Sequence, residues 1–177
     1  MRIIAGTNKG RTLTAPKWDG LRPTSDKLRE TLFNIIAPHL DGARVLDVFA
    51  GTGAIALEAL SRGAAAATCI EHDRRAARLI EENRALCGEA ERCVIIRDTV
   101  ERALSTPVSG GPFDIVVLDP PYDYAALERA LREAATQRAP GGLLVLEHAA
   151  RLPPPAPAGL AITRTVKSGD SALTFYS

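Results

Sequence analysis

From residue 44 onward the chain alternates short apolar runs with stretches of helical period. Arg44–Phe49, Ala66–Glu71, Cys93–Arg97, Phe113–Leu118 and Gly142–Glu147 have the length and apolar content of strands. Between them lie helical segments near 54–62, 74–87, 99–104 and 125–138. Strands that are apolar throughout are covered on both faces, so the alternation predicts right-handed βαβ units and a parallel sheet between helical layers. The ending breaks this rhythm. Leu160–Val166 and Ala172–Tyr176 are joined by Lys167-Ser168-Gly169-Asp170-Ser171 with no helix between them, which predicts a hairpin and an antiparallel strand. Pro153-Pro154-Pro155-Ala156-Pro157 reads as a stiff spacer leading into it.

Residues 1–43 follow a different pattern. Two β-type runs, Arg2–Ala5 and Arg11–Thr14, flank Gly6-Thr7-Asn8-Lys9-Gly10 and predict a small hairpin or an extended loop. After Pro16, Gly20 and Pro23, a helix is expected from about Thr24 to Ala37, with Leu28, Leu32, Ile35 and Ile36 on one face. Asp26 favours its first turn and Pro38 ends it. The expected fold is therefore α/β and Rossmann-like, with a C-terminal antiparallel hairpin on residues 44–177 and a short extension on residues 1–43.

Composition narrows the class. At 177 residues with 46% apolar and 24% charged positions, the chain suits one globular domain. No apolar stretch approaches a membrane span, and Gly6, Asn8, Lys9 and Arg11 follow the start too soon for a secretory signal, so a cytoplasmic address is expected. A monomer is the simpler expectation for so compact a chain. Cys69, Cys87 and Cys93 lack a paired spacing, and His39, His72 and His148 are scattered; neither a disulfide framework nor a metal site is expected. Net charge is only +1, but it is unevenly spread. Residues 1–44 carry eight basic side chains against four acidic ones, and the remainder carries fourteen against seventeen. A basic arm on a mildly acidic body points to a polyanion; a solvated charged surface is the alternative.

Chemistry concentrates at the strand ends. Gly51-Thr52-Gly53 followed by Ala56 fits the glycine turn of a nucleotide-binding βα unit, where backbone must approach a ligand closely. Glu71, twenty residues after Gly51, is placed to accept hydrogen bonds from ribose hydroxyls. This much suits a dinucleotide or S-adenosylmethionine equally. Asp47 tilts the choice, because a carboxylate inside an apolar strand needs compensation, and a cofactor with a cationic amino group supplies it. Capping of nearby amides is the competing reading. Asp98, at the end of the third strand, is either an acceptor for an adenine amino group or a helix N-cap.

The most specific signal is Asp119-Pro120-Pro121-Tyr122, directly after the strand Phe113–Leu118. Consecutive prolines fix two φ angles and so aim the neighbouring carbonyls. The Asp119 carboxylate and the Pro120 carbonyl are then placed to accept both hydrogens of one exocyclic amine, freeing its lone pair to attack a methyl group. Tyr122 offers a stacking surface for the base, worth about 1–3 kcal/mol. In a doubly wound sheet the first and fourth strands flank the switch point, which brings this turn beside the glycine loop. A merely rigid strand-to-helix turn is the bland alternative.

With these motifs the chain resembles the RsmD family of bacterial 16S rRNA (guanine-N2)-methyltransferases. The likeness rests on Val45–Gly53, Asp119–Tyr122, Met1–Gly6, Gly10–Leu13, Arg22-Pro23-Thr24, Arg29–Asn34 and Leu57–Ala64. It implies a seven-stranded class I methyltransferase fold and S-adenosylmethionine as cofactor. By that likeness Asp119, Pro120, Pro121 and Tyr122 carry catalysis. Asp47, Phe49, Ala50, Gly51, Thr52, Gly53, Glu71, His72, Asp98 and Thr99 would hold the cofactor. Arg2, Lys9, Arg11 and Arg22 would meet 16S rRNA, in a small-subunit particle or an assembly intermediate, with the target base flipped out. Ser168-Gly169-Asp170-Ser171 departs from the Tyr-Gly-Asp-Thr segment common in relatives. Adenine-N6 DNA and glutamine-N5 protein methyltransferases share the proline turn, a dehydrogenase using NAD shares the glycine loop, and a non-catalytic rRNA-binding assembly factor is the remaining alternative.

Overall fold

Residues 1–16, 18 and 25–177 are described by the structure, a computed structural model. Arg22, expected to touch RNA, lies outside them. The strands are β1 (Arg44–Asp47), β2 (Ala66–Ile70), β3 (Cys93–Ile96), β4 (Phe113–Leu118), β5 (Arg138–Ala149), β6 (Ile162–Ser168) and β7 (Ser171–Tyr176). They form one seven-stranded sheet in the order β3-β2-β1-β4-β5-β7-β6. β1 to β5 run parallel, while β7 is antiparallel to both of its neighbours, as the terminal hairpin requires. The helices are α1 (Asp26–Ile36), α2 (Ala54–Ser61), α3 (Arg74–Leu86), α4 (Val100–Ala103) and α5 (Leu127–Thr136).

Side chains alternate across a strand, and here both faces are buried. Ile115 and Val117 of β4 enter one core with Val45, Val145 and residues of α1 and α2. Val116 and Leu118 enter the opposite core with Leu46, Leu144, Leu146 and residues of α4 and α5. Adjacent β1 and β4 open the switch point at their carboxyl ends.

Several boundaries differ from the sequence expectation. β1 stops at Asp47 rather than Phe49: Val48 still donates to Val117, but the Ala50 amide turns aside to Ile70. β5 begins at Arg138, inside the stretch expected to be helix, because its register shifts against β4 between the Phe113 and Ile115 pairings. The N-cap of α4 is Thr99, whose side chain accepts from the Arg102 amide at 3.4 Å. Asp98 therefore does not cap it; its carboxylate accepts from the Thr99 amide at 2.8 Å and pairs with Arg102 at 3.5 Å. In α1, Phe33 and Arg29 join the buried face, and Ile35 is only partly buried.

The N-terminal arm is docked rather than loose. Its two runs meet in a single antiparallel bridge, Arg2 to Thr12. Ile3 and Leu13 enter the same core as α1 and β1. Glu58 of α2, fully buried, accepts from the amides of Ile4 at 2.7 Å and Ala5 at 3.0 Å and from Arg62 at 2.7 Å. Gly6 then crosses α2 so closely, at φ +83°, that a Cβ there would lie 1.8 Å from the Ser61 carbonyl oxygen. Asn83 of α3 completes the attachment, accepting from the Thr14 amide at 2.7 Å and donating to the carbonyls of Thr14 and Thr52. Arm and glycine loop thus share a ligand.

Candidate active site

A cavity of about 510 Å³ opens at the carboxyl ends of the central strands. Phe49, Ala50 and Thr52 form its glycine-loop side, Glu71 and His72 the end of β2, and Asp119 to Tyr122 the end of β4. Sequence spacing had implied that these three segments converge, and they do. The loop geometry has a local cause: Gly53, the N-cap of α2, sits at φ +75°, in the left-handed region that side chains avoid.

Glu71 is buried and holds two backbone amides, that of Gly51 on Oε2 at 2.9 Å and that of Asp73 on Oε1 at 2.7 Å. It ties β2 to the glycine loop, and its two oxygens retain lone pairs that can accept further hydrogen bonds. Asp73 caps α3, and its bond to the Arg75 side chain holds its carboxyl down at about 2. Arg75 lies over the Trp18 ring at 4.9 Å, and both line the cavity.

Asp47 does not line the cavity; it lies beneath the loop at 1% exposure. Neither carboxylate oxygen has a partner in normal hydrogen-bonding geometry among the described residues. Burial raises its carboxyl to about 7, with the Ala56 amide offsetting part of the cost and the Glu71 charge adding to it. Amide capping is thus too weak to satisfy Asp47, and the group stays short of positive charge. Asp98 and Thr99 are likewise not among the lining residues, and each is engaged with α4.

Asp119 is half-buried and Pro120 buried, both on the cavity wall. Tyr122 is 41% exposed at the rim, and its hydroxyl donates to Glu147 Oε1 at 3.0 Å. A second bond of 2.8 Å joins that hydroxyl to Ser171 Oγ. Glu147 and Ser171 were not expected from sequence, yet both line the cavity. Glu147 ends the apolar run of β5 much as Asp47 ends that of β1, and that was the available signal. Arg2, Lys9 and Arg11 are exposed on the docked arm, outside the cavity lining; Arg11 donates to the Leu86 carbonyl.

The electrostatics select the ligand. The described lining includes four carboxylates (Glu71, Asp73, Asp119 and Glu147) against Arg75 and His72, and Arg75 is already paired with Asp73 at 3.0 Å. Such a wall repels a pyrophosphate and favours a cation and hydrogen-bond donors.

This fold and site define a class I methyltransferase. Residues 1–177 match the family described as conserved hypothetical protein 95, and the chain belongs to it: the RsmD family that the sequence motifs indicated. It is 44% identical over 131 residues to Ribosomal RNA small subunit methyltransferase D of Escherichia coli (strain K12), covering 74% of this chain and 65% of that protein, just under two thirds of its length. To YlbH of Bacillus subtilis (strain 168) it is 34% identical over 180 residues, covering 99% and 98%. The solved structure of Escherichia coli yhhF superposes with a TM-score of 0.85 at 38% identity, covering 99% of this chain and 96% of that one.

Proposed function

We propose that this protein transfers a methyl group from S-adenosylmethionine to the exocyclic N2 of a guanine in small-subunit ribosomal RNA, in the cytoplasm. The observation that carries the reading is the convergence of Asp119 and Pro120 with the glycine loop and Glu71 on one acid-rich cavity. Relatives named as small-subunit ribosomal RNA methyltransferases supply the substrate class; the guanine N2 at the position numbered 966 is what the resemblance to the RsmD family implies.

The residues present suit the cofactor. Glu71 offers acceptors for a ribose diol and Phe49 an apolar face, while Asp47, beneath the loop and without a partner in normal hydrogen-bonding geometry among the described residues, adds negative potential that favours a cationic group above it. When bound, S-adenosylmethionine supplies a methyl group made electrophilic by the positive sulfur that carries it. The chain's own part is positioning and prepaid electrostatics. Asp119 and the Pro120 carbonyl draw the two amine hydrogens into fixed directions and disengage the nitrogen lone pair from the ring. Tyr122, tethered by its hydroxyl, supports the flipped base. Once nitrogen has gained a fourth bond it is acidic, and the Asp119 carboxylate is the adjacent proton acceptor.

Arg2, Lys9 and Arg11 lie along an arm fixed to α2 and α3, so their charges are held at a defined distance from the cavity. That suits phosphates flanking the target, in rRNA or a particle containing it. The dehydrogenase reading loses to the acidic wall, and an assembly factor would leave the cavity without use.

The test is a map of modified nucleosides in small-subunit RNA from cells lacking the protein, before and after incubation with the purified protein and S-adenosylmethionine. The proposal requires one new N2-methylguanosine; a methyl mark on adenine, or none, overturns it.

A further inference from the structure

Glu147 has work that the transfer mechanism leaves unassigned. It stands near the carboxyl end of β5, lines the cavity, and is 5% exposed. Its Oε1 accepts the Tyr122 hydroxyl at 3.0 Å, while its Oε2 is buried with no partner among the described residues. Tyr122 has one hydroxyl hydrogen and gives it to Glu147, so the 2.8 Å bond with Ser171 is donated by Ser171. The carboxylate is thereby held against the residue that supports the base, on a strand paired with β4, whose end leads into Asp119. A buried carboxylate oxygen without a donor is costly, and one that faces a cavity calls for a donor from whatever occupies it, a ligand or a bound water.

We propose that Glu147 is the specificity-determining residue that reads the N1–H of the target guanine. This rests on the proposed function, because it takes N2 as the gripped atom. On the guanine edge the N1–H donor is the immediate neighbour of the N2 amine. Asp119 and Pro120 hold the amine, and the adjacent donor requires an acceptor of its own. A purine whose N1 is a bare lone pair would instead face a buried anion and leave it unpaired. Sites built to bond a donor reject analogues that lack it far more strongly than apolar pockets reject a missing methylene. Ser171, the last residue of the segment that departs from relatives, is the far anchor of this carboxylate through Tyr122.

The discriminating substrate is small-subunit RNA carrying 2,6-diaminopurine at the target position, which keeps the 2-amino group and replaces N1–H with an acceptor. Wild-type protein should prefer guanine in kcat/KM by roughly 10- to 100-fold. Glu147→Gln, whose amide donates to an N1 lone pair and still accepts from Tyr122, should bring the ratio near unity or invert it. Glu147→Ala should also lose the preference. Because each ratio is read within one preparation, partial misfolding of a variant cancels. Transfer to guanine with an unchanged ratio in both variants overturns the role of Glu147 alone. Absence of wild-type transfer to guanine overturns the proposed function and this inference with it.

Discussion

Replacing Asp47 by Asn isolates the cost of the carboxylate beneath the glycine loop. Its folded pKa is raised from 3.8 to about 7 by burial. At 1.36 kcal/mol per unit, that shift corresponds to on the order of 4 kcal/mol. The sign is the reverse of an ordinary ion-paired carboxylate. Below about pH 4 the group is protonated in both states and costs nothing as an ion; between about pH 4 and 7 the unfolded chain releases its proton first, and stability falls with rising pH. Asn removes this dependence but leaves a buried amide short of partners, at about 1–3 kcal/mol. Asp47→Asn should therefore match or trail the wild type near pH 5 and exceed it by about 1–3 kcal/mol near pH 8.5. Urea unfolding across that pH range reads the difference: about 2.7 kcal/mol of the cost accrues between pH 5 and 8.5, so at about 2 kcal/mol per molar the wild type alone should lose about 1.3 M in midpoint from this group. Carboxylates held low, such as Asp73, titrate below this window and cancel between the two proteins. A difference that does not vary with pH would refute the reasoning.

Two further outcomes follow from the docked arm. Gly6→Ala places a Cβ against the Ser61 carbonyl at a positive φ and should cost about 2 kcal/mol or more, read as a lowered Tm; an unchanged Tm contradicts the crossing. Alanine at Arg2, Lys9 and Arg11 together should weaken rRNA binding and reduce the salt slope by about 1 per contact removed, whereas an unaltered slope returns them to an ordinary charged surface.

What was legible in the sequence was what local chemistry dictates. The βαβ rhythm, the Gly51–Gly53 turn and the Asp119–Tyr122 turn are each set by neighbours in sequence, and sheet topology then brings them together. The missed features depend on distant partners. Nothing local marks Glu58, which is fully buried because amides of the arm, more than fifty residues away, replace water. Arg29 is buried for a related reason, with Asp26 at 3.0 Å and the Arg2 carbonyl as its partners. Glu147 and Ser171 reach the cavity through the β5–β7 pairing. The same argument that singled out Asp47, a charge closing an apolar strand, applies to Glu147. Asp98 and Thr99 show the opposite failure: the helix that follows claims both side chains.

The most direct test of the amine grip is single-turnover transfer of labelled methyl to small-subunit RNA by the wild type and by Asp119→Ala, with S-adenosylhomocysteine affinity measured on both proteins. The account requires label in N2-methylguanosine for the wild type. For the variant it requires a loss of about 100-fold or more in rate with affinity changed by less than about threefold. Transfer by Asp119→Ala at the wild-type rate would contradict it.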